Sequence, residues 1–174
     1  MKRKSLLITR AALLGAMYIA LTHAQNLLLP GSATWAIQCR LSEALCVLAF
    51  FTPAAIPGLS IGCLIFNLSY AGALPLDFLV GTLATFLATW IMWLTRNVKW
   101  FGIPVLGLMM PALFNAFLVG WELTVYLGDT GFTMAAFWIN AALVAAGEII
   151  VLFTVGLALW RGLVRSRVGR QLFG

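Results

Sequence analysis

Between Arg10 and Arg96 the chain carries a single basic residue, Arg40; every other lysine and arginine stands near an end or in the Arg96–Lys99 stretch. Apolar runs this long leave too little polar surface to coat a water-soluble fold. Hydrophobic residues make up 63% of the 174 positions and charged residues 9%, which excludes a soluble domain. At about 20 apolar residues per crossing, the expectation is an all-α integral membrane protein, one domain over 1–174, with six transmembrane helices. The spans are expected at 6–25, 37–52, 56–72, 75–95, 103–127 and 134–161. Pro53 stops the second span and Pro57-Gly58 completes the turn. Pro75 opens the fourth, and Pro111 predicts a kink in the fifth because the carbonyl of Gly107 loses its donor. Asn26–Ala36 and Gly128–Gly131 read as loops. The runs lack the alternation of a membrane barrel.

Six spans place Lys2, Arg3, Lys4, Arg10, Arg96, Lys99, Arg161, Arg165, Arg167 and Arg170 on one side, leaving only Arg40 on the other. That sorting puts the N and C termini in the cytoplasm. Lys2-Arg3-Lys4 before an apolar run also fits a signal peptide, but the run is long for one and Thr22-His23-Ala24 is a poor cleavage site, so a retained first span is expected. The net charge of +6 does not point to nucleic acid, because no basic–aromatic surface accompanies it. Cys39, Cys46 and Cys63 lack metal or redox spacing and read as small buried hydrophobes; neither metal nor disulfide is expected. His23 reads as a span-end residue.

Polar groups inside spans are costly and mark sites, pairs or interhelical contacts. Arg40 and Glu43 lie on one helical face near the outer surface. Asn115 and Glu122, seven apart, fall within about 20° of each other on the wheel. Asn140 and Glu148 are offset by about 80°. Gln38, Asn67, Tyr70, Tyr126 and Trp138 add polar or aromatic groups to the same outer half. Together they predict an outward-facing pocket. The alternatives are an interfacial Arg40–Glu43 pair and asparagines acting as helix glue. Glu122 and Glu148 have no basic residue at their depth and are expected to bind something or to carry protons. Ala12, Ala16 and Ala20 form a small-residue stripe on the first span, beside Ala11 and Gly15. It serves either internal packing or docking to another subunit.

No P-loop, HExxH, GxSxG or CxxC occurs, and no nucleophile sits beside a base, so binding or transport is expected and not an enzyme. A solitary carrier coupled to protons or ions, and an assembly protein whose polar residues only join helices, are the competing classes.

The segments Ile37-Gln38-Cys39-Arg40-Leu41-Ser42-Glu43-Ala44-Leu45, Phe50-Phe51-Thr52-Pro53-Ala54-Ala55-Ile56-Pro57-Gly58-Leu59 and Ile61-Gly62-Cys63 carry a family resemblance. Further on it extends through Pro111-Ala112-Leu113-Phe114-Asn115-Ala116, Gly120-Trp121-Glu122-Leu123, Phe137-Trp138-Ile139-Asn140 and Gly147-Glu148. The chain resembles the QueT-type substrate-binding (S) components of energy-coupling factor (ECF) transporters. The resemblance implies a six-helix bundle in the bacterial cytoplasmic membrane that captures a queuosine precursor from outside. It implies a coupling subunit and two ATPases as partners, with ATP used by them and no cofactor in this chain. It also implies docking through Ala12, Ala16 and Ala20. A 7-deazaguanine (cyano, aminomethyl or queuine form) presents an N–H edge suited to one carboxylate. Gln38, Arg40, Asn115 or Asn140 would donate to its carbonyl, Trp138 or Tyr126 would stack on the ring, and a second glutamate would meet an amine. Another small vitamin-like nutrient is the alternative cargo.

Overall fold

The computed structural model of the protein describes residues 2–32, 38–127 and 131–166. The loop positions 33–36 and 128–130, the start of the second expected span at 37, and Arg167 and Arg170 lie outside the described residues. The elements run α1 (Lys2–Leu28), a 3₁₀ helix (Leu41–Phe50), α2 (Ala55–Ser69), α3 (Asp77–Leu94), α4 (Val105–Leu108), α5 (Met110–Leu127), α6 (Met134–Val151), a π turn (Leu152–Gly156) and α7 (Leu157–Arg165). Among the described residues, four stretches are long and apolar enough to cross a membrane: Lys4–Leu28, Asp77–Leu94, Val105–Leu127 and Met134–Arg165. Leu41–Phe50 and Ala55–Ser69 are shorter apolar helices.

α1 packs on α2, α2 on α3, α3 on α5 and α5 on α6, while the 3₁₀ helix touches α1, α2, α3, α6 and α7. The central element is therefore the one expected as an ordinary second span. Ser42 through Phe50 are all buried. A 3₁₀ helix rises about 2.0 Å per residue, so ten residues reach about 20 Å where an α-helix would reach about 15 Å. Its side chains eclipse every third residue, which aligns Glu43, Cys46 and Ala49 in one row.

Small residues bring α1 and α2 together. A Cβ on Gly15 would lie 2.8 Å from the carbonyl oxygen of Gly58, and one on Gly62 would lie 2.8 Å from that of Gly15. The Ala11–Gly15 row thus serves internal packing, whereas Ala12, Ala16 and Ala20 are exposed. Ala11, Ala12, Gly15 and Ala16 line an apolar groove of about 710 Å³ with α2 residues including Gly58 and Gly62.

The fifth stretch breaks at Met109, between α4 and α5. Pro111 supplies no N–H to Gly107, as the sequence predicts. The sixth stretch contains a π turn that no proline announces. His23 bonds Ser69 at the ends of α1 and α2 (3.1 Å). At the opposite end the guanidinium of Arg96 lies 3.9 Å from the Trp93 ring centroid and Lys99 lies 5.9 Å from that of Trp160. Such cation–aromatic pairs suit a membrane interface.

The packing of α1 on α2 leads to one expectation. Gly62→Val forces a branched side chain against Gly15 and Tyr18 and should destabilise the protein by about 1–3 kcal/mol. Ala16→Val, in the open groove, should stay within about 0.5 kcal/mol of the parent. Thermal denaturation in detergent reads both.

A buried polar cluster as candidate functional site

Tyr18, Thr22 and Gln25 recur at helical spacing on α1 and all three are buried. A backbone segment without water must find its hydrogen bonds in protein. Gln25 provides them where the chain enters the 3₁₀ helix: its Nε2 donates to the Cys39 carbonyl (2.7 Å) and its Oε1 accepts from the Leu41 N–H (2.8 Å). Arg40 is held between these two clasped residues. One turn up α1, Thr22 donates to the Tyr18 carbonyl (2.7 Å) and its Oγ1 lies 2.7 Å from Ser42 Oγ.

Glu43, 1% exposed, is met by donors from three elements. The Tyr18 hydroxyl donates to Oε1 at 2.5 Å, the Cys46 thiol to Oε2 at 3.1 Å, and the Thr85 hydroxyl lies 3.4 Å from Oε1. The eclipsed row of the 3₁₀ helix is what sets Cys46 over Glu43. Glu43 thus joins the 3₁₀ helix to α1 and α3.

Arg40 is 5% exposed. Its Nη1 lies 3.7 Å from Cys63 Sγ, and its guanidinium lies 5.6 Å from the Phe66 ring centroid. Asn67 Nδ2 donates to the Asp77 carbonyl (2.8 Å) and lies 3.6 Å from Cys63 Sγ. Cys46 and Cys63 therefore act as polar partners and not as mere hydrophobes. Gly81 admits this contact, since a Cβ there would lie 2.8 Å from Asn67 Nδ2. Asp77 heads α3 and accepts from the Leu74 N–H (2.9 Å), where a helix N-terminus favours a carboxylate.

From the other side come Glu122 of α5 and Glu148 of α6, 0% and 1% exposed. Glu122 makes loose polar contacts with the Asp77 carboxyl and the Leu76 backbone that fall short of hydrogen-bond geometry, and Glu148 lies within electrostatic range of Glu43 and Arg40. Both oxygens of Glu122, Oε2 of Glu148 and Oδ1 of Asn67 are buried without a hydrogen-bond partner. Gln38, 3% exposed, lies with its backbone against Gly147, where a Cβ would come within 2.8 Å of its carbonyl carbon. That contact sets the Arg40 segment beside Glu148.

The structure thus gathers Gln38, Arg40, Glu43, Asn67, Glu122 and Glu148, and buries Asn115 on the Glu122 side of α5. Tyr70 is partly buried and stacks on Phe66 at 5.5 Å. Three expected residues are placed differently. Asn140 donates to Thr124 Oγ1 (3.0 Å) and joins α6 to α5, the glue role open to it from sequence. Trp138 is 56% exposed and packs edge-on against Phe117 and Phe137; Tyr126 is 41% exposed. Neither is positioned to stack on a ligand in the cluster, because their amphipathic rings face outward. Phe66, fully buried beside Arg40 and Tyr70, and Tyr18, bonded to Glu43, are aromatics the cluster does contain.

Sequence reasoning missed Tyr18, Gln25, Cys46, Cys63, Asp77 and Thr85. The seven-residue spacing of Tyr18 and Gln25 through Thr22 was a readable signal. So was an aspartate two residues after Pro75. Thr85 meets Glu43 and Cys63 meets Arg40 from other elements, which leaves no local trace, and the Cys46–Glu43 contact depends on a 3₁₀ period the sequence does not announce.

The model of the QueT transporter family matches residues 8–165. No curated protein and no solved structure matches the chain.

Tyr18→Phe removes the shortest bond to Glu43 and should destabilise the protein by about 1.5–3 kcal/mol. Combined with Glu43→Gln, the losses should be less than additive. Chemical unfolding of single and double variants in detergent measures the coupling.

Proposed function

The chain belongs to the QueT transporter family, a family of non-enzymatic transport proteins, and on that premise we propose that it is the substrate-capture subunit of an ATP-driven uptake system. It is a multi-pass membrane protein. The proposed cargo is a queuosine precursor of the 7-deazaguanine class. Capture takes place from outside, in the cluster beneath the loops at the Asp77 end of α3. Six crossings are proposed, the two short apolar helices included, with both termini in the cytoplasm of a bacterium. The single basic residue between Arg10 and Arg96 supports that orientation.

The observation that carries the reading is the pair of glutamates, Glu122 and Glu148, buried with unpartnered oxygens. A buried acceptor without a donor is costly, and a ligand rich in N–H groups removes the cost. The ring N–H and exocyclic amine of a 7-deazaguanine offer two parallel donors to one carboxylate. Arg40 and Asn115 supply donors for the ring carbonyl, and Phe66 supplies an apolar wall.

An ECF coupling subunit with two ATPases is the proposed energy source, a division of labour with which a chain without a P-loop motif agrees. The exposed Ala12, Ala16 and Ala20 row and the groove beside it support docking there, since small residues let a partner helix approach closely. Substrate capture and docking then use opposite sides of α1.

A solitary proton-coupled carrier is the second reading, favoured by the same unpartnered oxygens of Glu122 and Glu148. The two separate cleanly. The purified protein alone should bind a 7-deazaguanine, and Glu122→Gln should weaken binding by about 30-fold or more. Ala16→Leu should leave binding intact and abolish ATP-dependent uptake with the partner subunits. Uptake by the protein alone, following a pH gradient, would establish the carrier instead. Binding of a different nutrient, with no 7-deazaguanine bound, would replace the cargo.

A further inference from the structure

Aspartate and glutamate are absent from 1–42, 78–121 and 149–174, the segments that hold every lysine and arginine of the chain. Arg40 nevertheless lies among carboxylates, because it enters the buried cluster. Arg96 and Lys99 do not. Asp77 opens α3 and Arg96 follows its far end, about 27 Å of helix away.

At that far end the elements enclose an open cleft of about 330 Å³. The 3₁₀ helix contributes Phe50 and Phe51, α3 contributes Trp93 and α7 contributes Trp160, with Arg96 and Lys99 at the rim. Arg96 is pinned: its Nη1 donates to the Trp93 carbonyl (2.8 Å) and its guanidinium lies 3.9 Å from the Trp93 ring centroid. A guanidinium carries five N–H donors in one plane, so an arginine lying face-down on a ring keeps donors along its edge for an anionic oxygen pair. The Lys99 ammonium lies 5.9 Å from the Trp160 ring centroid. Two cations thus meet over an aromatic floor, and the segments that form the cleft bring no carboxylate to them.

The next residues point to where the matching anion comes from. Trp100 and Ile103 exchange both backbone hydrogen bonds, at 2.8 and 2.9 Å, and so close a two-residue turn. Its central residues are Phe101 (φ 49°) and Gly102 (φ 77°), both left-handed, as in the tight turn that favours Asn-Gly. An aromatic side chain is disfavoured in that conformation. Phe101 is nevertheless held there fully exposed, beside Trp100 at 70% exposure. Aromatic rings next to lysine and arginine suit the boundary between headgroups and acyl chains.

We infer that this cleft binds the phosphate of an anionic phospholipid, with Arg96 and Lys99 on the phosphate oxygens and Trp100 and Phe101 against the acyl chains. Basic pockets between membrane helices bind anionic headgroups in this way. A zwitterionic headgroup brings its own cation toward Arg96 and Lys99 and is disfavoured.

The test is native mass spectrometry of the full-length protein in neutral detergent, titrated with dioleoyl phosphatidylglycerol or dioleoyl phosphatidylcholine. Phosphatidylglycerol should bind at least about tenfold more tightly. Arg96→Gln and Lys99→Gln should each weaken it about fivefold, the scale of one charge at the headgroups. Arg161→Gln and Arg165→Gln, exposed on α7 and outside the cleft, should change it less than about twofold. The wild-type ratio tests the inference even where a variant fails to fold. Equal binding of the two lipids, or equal loss in all four variants, overturns the site. Displacement of phosphatidylglycerol by an equal concentration of inorganic phosphate assigns the cleft to a soluble anion and overturns the lipid.

Discussion

A carboxylate buried inside a membrane bundle is stable only if donors surround it or a cation neutralises it. The acidic residues of this chain divide along that line. Glu43 is enclosed by hydroxyl and thiol donors from α1, the 3₁₀ helix and α3, and so works as a joint. Glu122 and Glu148 are as deeply buried and leave oxygens unpartnered. The joint bears on those two as well. By fixing the 3₁₀ helix to α1 and α3, it holds Arg40 in the interior, where its charge offsets part of the acidic excess.

α1 shows how one helix serves several tasks through its periodicity. Tyr18, Thr22 and Gln25 face the 3₁₀ helix with polar groups, and Ala11 and Gly15 let α2 approach to backbone contact. Ala12, Ala16 and Ala20 remain exposed. Helical geometry separates these rows by angle, so a change at the outer surface need not disturb the polar cluster. That separation is what a subunit needs if it binds a ligand on one side and a partner on the other.

Much of the fold was legible because prolines and charges punctuate the apolar runs. Pro53, Pro75 and Pro111 each mark a boundary or break that the structure contains. The 3₁₀ character of Leu41–Phe50 was not legible. Nearly every residue of that helix is buried, so no polar face exists to reveal whether its period is 3.0 or 3.6. The π turn is equally silent in the sequence, since Leu152–Gly156 carries one polar residue, Thr154, too few to show a change of period. Within the site, charges were readable and their partners were not. The donors to Glu43 from Tyr18 and Thr85 come from 25 and 42 residues away. Periodicity also cannot tell an inward-facing aromatic from one facing outward, which is why Trp138, expected beside a ligand, is exposed while Phe66, given no role from sequence, is buried beside Arg40.

The central claim is the proposal that a ligand contacts Glu122 and Glu148, whose oxygens lack hydrogen-bond partners, while Glu43 is held by the protein itself. The most direct measurement is the infrared difference spectrum of the protein on adding a 7-deazaguanine, the proposed cargo. The account predicts carboxyl-region bands that lose separate components in Glu122→Gln and Glu148→Gln, with no component assignable to Glu43. A difference spectrum unchanged by both substitutions, in variants that still bind the ligand, would contradict it.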